Sequence, residues 1–70
     1  MTSIEDVKRK NEASLMGLPG VVGVGLGSRK GMRVIQVYVQ EATREVRAKI
    51  PDMLEGHPVE VVRVGEVRKL

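Results

Sequence analysis

The stretch VVGVGLGSRKGMRVIQVYV, Val21–Val39, decides the fold. Its first part alternates strictly: Val22, Val24 and Leu26 point one way, while Val21, Gly23, Gly25 and Gly27 point the other. A period of two is the signature of a strand buried on one face. Met32–Val39 repeats that period and is rich in β-branched residues, with Ile35, Val37 and Val39 against Met32, Val34, Gln36 and Tyr38. Two such runs joined by Ser28-Arg29-Lys30-Gly31 predict a hairpin, strands 21–27 and 32–39. A two-residue turn at Ser28-Arg29 is disfavoured, because such turns want Asn or Gly at positive φ. A four-residue loop places Gly31 where positive φ is needed. It pairs Val24 with Ile35 and Val22 with Val37, and on the other face Gly25 with Val34, Gly23 with Gln36 and Val21 with Tyr38. A slip of one residue would mix the faces.

The glycine spacing invites comparison with a nucleotide loop. A dinucleotide fingerprint needs G-x-G-x-x-G between a strand and a helix, so that the helix N-terminus meets the pyrophosphate. Gly23-Val24-Gly25-Leu26-Gly27 has neither that spacing nor a following helix, and the tip lacks the Gly-Lys-Ser/Thr of a P-loop. No cofactor is expected. Glycines on one strand face leave room for a close partner or for a covering aromatic, and Tyr38 lies diagonal to Gly23 in this register.

Outward from the hairpin, residues 2–16 predict a helix. Thr2-Ser3-Ile4-Glu5 has the form of a capping box, and Ile4, Val7, Leu15 and Met16 form an apolar stripe broken by Asn11, which suggests loose docking. Gly17-Leu18-Pro19-Gly20 ends it. Residues 41–50 predict a second helix, with Ala42, Val46 and Ile50 four apart and Pro51 as the stop. IPDMLEG reads as a short turn that tucks Met53 and Leu54 under the sheet. Residues 58–67 predict a third strand, whose apolar parity changes between Val59/Val61 and Val62/Val64, implying a bulge or burial on both faces. Arg68–Leu70 reads as a frayed end. The crossover through the second helix makes the second and third strands parallel. The expectation is a single α+β domain, α-β-β-α-β, with two helices on one face of a three-stranded sheet.

Composition bounds the rest. Seventy residues without Cys, Phe or Trp must build a core from Val, Ile, Leu and Met. Such a core supplies no more than roughly 3–5 kcal/mol, so association with a second chain is a natural supplement. Twelve Lys and Arg against nine Asp and Glu give a net charge of +3 with the signs interspersed. That pattern reads as a solvated surface. No segment approaches the ~18 apolar residues of a membrane span, and Glu5, Asp6 and Glu12 stand where a signal peptide is apolar. A cytoplasmic chain is expected.

No catalytic constellation emerges. His57 is the single histidine, and without Cys it makes a poor start for a metal site; it reads as an exposed turn residue. Glu41 and Glu45 read as helix-surface partners for Arg44, Arg47 and Lys49. The expected function is non-enzymatic association, with self or another protein, through the face carrying Val21, Gly23, Gly25, Val34, Gln36 and Tyr38. The alternative is weak RNA or DNA binding through Arg29, Lys30 and Arg33 at the hairpin end, helped by Lys8-Arg9-Lys10. Against it, Tyr38 is the only aromatic available for base stacking, and Gly17-Leu18-Pro19-Gly20 lacks the basic residues and helical context of a KH-type G-x-x-G loop.

PGVVGVGLG, VIQVYVQ and IPDMLEGHPVEVVRVGEV, in that order over Pro19–Val67, resemble a short N-terminal module of bacterial trypsin-like serine-protease proteins. That pattern runs VVGVGVG, a charged loop, IVVYV, then IP and an EGVPV-like segment. The tip at Ser28–Gly31 is shorter here, and His57 replaces an apolar residue. Nothing in the seventy residues corresponds to the protease domain. The resemblance therefore implies a stand-alone accessory module and carries over no peptidase activity.

Overall fold

The computed structural model describes residues 3–64. The helix α1 (Ile4–Met16) leads into β1 (Val21–Arg29) and β2 (Met32–Val39). The short helix α2 (Arg44–Lys49), β3 (Met53–Leu54) and β4 (His57–Arg63) follow. The sheet order is β1-β2-β4-β3; β2 and β4 run parallel, and the other pairs are antiparallel. The class is the expected α+β, with four strands where three are predicted. Thr2, the 65–67 end of the predicted third strand and Arg68–Leu70 lie outside the described residues.

The hairpin register differs from the predicted one by two residues. Arg29 pairs with Met32, Leu26 with Ile35, Val24 with Val37, Gly25 with Gln36 and Gly23 with Tyr38. The connection is the two-residue turn Lys30-Gly31, at φ 54° and 80°. Both values fit a type I′ turn, whose twist matches the flanking strands. Gly31 has the positive φ expected of it, but Lys at the first position conceals the turn from a reading that looks for Asn or Gly. A shift of two conserves every face, so hydrophobic alternation cannot detect it.

A second correction concerns Val21 and Val22. The ladder shifts between Val21 and Gly23, leaving Val22 as a bulge. Parity reverses across a bulge. Val21 therefore turns inward opposite Val39, while Val22, predicted to be core, is 49% exposed.

The segment predicted as a turn is an edge strand. Met53 pairs with Pro58 and Leu54 with His57 around Glu55-Gly56, at φ 50° and 86°, a second turn of the same kind. Leu54 packs on the core as expected, whereas Met53 is exposed. His57 accordingly begins a strand and is half-buried. The β2–β4 ladder runs from Ile35↔Val59 to Val39↔Arg63 without a shift, so the apolar parity change marks two faces rather than a bulge.

Both helices pack on one face of the sheet. One cluster joins Leu15 of α1 with Val21, Val37, Val39 and Ile50, flanked by Ala42 and Val46. The other joins Ile4 and Val7 with Ile35. Val7, Ile35, Val37 and Val39 are fully buried, so α1 docks firmly rather than loosely; Met16 is exposed and takes no part. The Ser3 hydroxyl caps α1 by accepting the Asp6 amide, one residue beyond the predicted cap. Asn11, at the break in the stripe, donates its side-chain amide to the Val7 carbonyl. Thr43 caps α2 by accepting the Val46 amide, which begins that helix later than predicted.

Lys30→Asn supplies a residue better suited to the left-handed first position. It should raise the urea midpoint by the equivalent of about 0.5 kcal/mol with an unchanged slope. An unchanged or lower midpoint would contradict the assigned turn.

Candidate functional site

The helix-free face presents Gly23, Gly25 and Gly27 of β1, Val34, Gln36 and Tyr38 of β2, and Pro58, Glu60 and Val62 of β4, as strand alternation places them. The glycines are not bare. A Cβ built on Gly23 would meet Tyr38 Cδ2 at 3.3 Å, and one on Gly25 would meet the Tyr38 hydroxyl at 2.8 Å and Cε2 at 3.1 Å. A Cβ on Gly27 would collide with the side-chain amide of Gln36. Side chains of β2 thus lean across β1 and occupy the space its glycines leave, the way an aromatic covers a sheet glycine.

These side chains are tied together. The Tyr38 hydroxyl donates to Gln36 Oε1 at 2.8 Å, and Gln36 Nε2 donates to Glu60 Oε1 at 3.2 Å. Arg29 Nη1 lies 3.8 Å from Glu60 Oε2. The row Tyr38–Gln36–Glu60–Arg29 crosses three strands and fixes the amide orientation of Gln36. Sequence spacing could not show this row, because the glycine partners and Glu60 meet only once the register and strand order are known.

Of the six residues expected on the interaction face, Gly23, Gly25, Val34, Gln36 and Tyr38 lie on it, and Val21 does not. The bulge at Val22 turns Val21 into the core, where it is 9% exposed. Val34 is on the face but only 3% exposed, so it supports the surface without offering itself to a partner. Gly23, Gly25, Gln36 and Tyr38 are half-exposed, and of these only Gln36 and Tyr38 offer side chains.

The expected anion contacts do not form one patch. Arg29 belongs to the helix-free face through Glu60, whereas Arg33 reaches Glu5 of α1 on the opposite face at 3.6 Å. Lys30 occupies the turn between them. Lys8 pairs with Glu12 at 3.1 Å, Arg9 with Asp6, and Lys10 with Glu55 at 3.4 Å. Exposed pairs of this kind contribute little to stability, yet they place a carboxylate beside each cation. On α2, Arg47 donates to the Ala42 carbonyl rather than to the expected Glu41 or Glu45. Among the described residues no three His, Asp or Glu side chains converge as metal ligands, and no helix is long and apolar enough to cross a membrane.

No protein-family model, curated protein or solved structure matches this chain.

The glycine cover makes a sign-reversing prediction. Gly25→Ala should destabilise the otherwise unaltered protein, since the Tyr38 ring must move and its bond to Gln36 breaks. In a Tyr38→Ala background the same change should stabilise by about 0.5–1 kcal/mol, the ordinary gain of Ala over Gly. Denaturant melts of the four proteins measure the coupling, and additive effects would show that the ring does not cover Gly25.

Proposed function

We propose that this domain is a non-enzymatic interaction module that receives a partner protein on the helix-free face of its sheet. The observation that carries the proposal is the division of labour between the two faces. One takes both helices and the aliphatic core; the other presents a hydrogen-bonded row of half-exposed Tyr38, Gln36 and Glu60 over filled glycines. Tyr suits such a surface, because it combines apolar area, few rotors and a polar tip. A fixed amide and carboxylate beside it supply orientation-dependent hydrogen bonds without a large ordering cost on binding. The resemblance to an accessory module of bacterial serine-protease proteins names no ligand, so the proposal rests on the sheet.

A photocrosslinking residue at position 62, on this face, should form a discrete protein adduct in the native host. The same residue at position 45, on α2, should form none. No adduct at 62, or equal adducts at both positions, would overturn the proposal.

Nucleic-acid binding is the weaker reading, because Arg29 and Arg33 point to opposite faces and the α1 cations have acidic neighbours. Phosphate-driven binding strengthens steeply as salt falls. The expected result is no retardation of single-stranded RNA or of duplex DNA at about 50 mM salt, the condition that favours such contacts. Retardation that vanishes as salt rises would reinstate this class.

A further inference from the structure

The edge of β1 has no strand beside it among the described residues, and at nine residues β1 is the longest strand of the sheet. Its backbone polarity follows from the turn. In a hairpin closed by a two-residue turn, the closing pair exchanges both hydrogen bonds, here Arg29 with Met32. Odd positions from Gly23 to Arg29 therefore address β2. Val24, Leu26 and Ser28 direct their N–H and C=O groups outward. Such a row is a template for another extended backbone.

Side chains restrict what that backbone can be. On the helix side, a groove of about 390 Å³ runs beside the edge, lined by Leu26 and by Glu5, Lys8, Arg9 and Glu12 of α1. A strand laid along the edge sends alternate residues towards this groove and the rest towards the helix-free face. Leu26 is the one apolar member of this lining, so the residue laid directly beside it packs best if it is aliphatic and uncharged. On the other side small residues suit it best, because Tyr38 already extends across β1 as far as Gly25.

We infer that the occupant is β1 of a second copy, paired antiparallel about a two-fold axis at Gly25. β1 meets both requirements itself: Val24 and Leu26 on one side, Gly23, Gly25 and Gly27 on the other. With the axis at Gly25, Gly23 stands opposite Gly27 and Val24 opposite Leu26 of the copy, so the regular part of the strand, between the bulge at Val22 and the turn, pairs with itself. Apolar residues then meet apolar residues on the helix side, and glycines meet glycines beneath the two Tyr38 rings. Because the two-fold contact is isologous, it closes at two chains. The result is one continuous eight-stranded sheet with both sets of helices on the same side. This inference goes beyond the proposed face, which the dimer leaves free and doubles in extent.

The test is amide hydrogen exchange by NMR on the full chain, from about 10 µM to about 1 mM, alongside sedimentation velocity over the same range. The amides of Gly25 and Gly27 are protected at every concentration, because they bond to β2. Those of Val24, Leu26 and Ser28 should gain at least about tenfold in protection as a dimer forms. A strict monomer at the upper concentration would overturn the inference and leave the helix-free face still to be tested by crosslinking. A dimer whose Val24, Leu26 and Ser28 amides exchange at one rate throughout would overturn the edge contact specifically.

Discussion

The register of β1 against β2 is the constraint on which the rest of this structure depends. Two small devices set it, the left-handed Lys30-Gly31 turn at one end and the bulge at Val22 near the other. The turn places Leu26 opposite Ile35 and Val24 opposite Val37, which builds the helix-covered side. The same register sets Gly23 against Tyr38 and Gly25 against Gln36, so the long side chains of β2 always find a glycine to lie over. The bulge then swaps Val21 for Val22 at the point where the sheet meets the Gly17–Gly20 loop, closing the cluster around Leu15 and Val39.

A domain with so few buried side chains has little stability to spare. Its largest fully buried groups are Ile35, Val7, Val37 and Val39, and three of the four come from β2. The central strand therefore carries most of the core, and α1 is held mainly through Val7, Ile4 and Leu15. Filling the glycine positions with Tyr38 and Gln36 adds contact area on the other face without an additional layer of structure. That economy leaves a flat surface of mixed polarity, and it leaves β1 exposed along its edge. The first feature follows from one strand having aliphatic residues on one side and glycines on the other; the second follows from its place at the end of the order β1-β2-β4-β3 among the described residues.

Much of this was legible in the amino-acid sequence. Period-two alternation located both hairpin strands and assigned the faces of Val24, Leu26, Ile35, Val37, Gln36 and Tyr38. The C-terminal ends of both helices followed from Pro51 and from the Gly-Leu-Pro-Gly stop, although both helices begin later than predicted, and the parallel pairing of β2 and β4 followed from the crossover between them. What failed was information that alternation does not hold. A two-residue shift leaves every face unchanged, so only turn chemistry could have fixed the register, and Lys30 is an unusual occupant of its position. The inward turn of Val21 required a bulge that two adjacent valines do not announce. β3 is too short to show a period, and its pairing depends on Glu55 adopting a left-handed conformation. The polar row was illegible for a different reason: Glu60 joins Gln36 only because β4 lies beside β2.

The central claim is that Tyr38 fills the space above Gly23 and Gly25 in this register, converting a bare strand into a finished surface. The most direct measurement is a nuclear Overhauser spectrum of the folded chain. Strong contacts between the Tyr38 ring protons and the Hα protons of both Gly23 and Gly25 are the result this account requires. Contacts from the ring to Val21 and Gly23 with none to Gly25, as the four-residue loop would give, would contradict it.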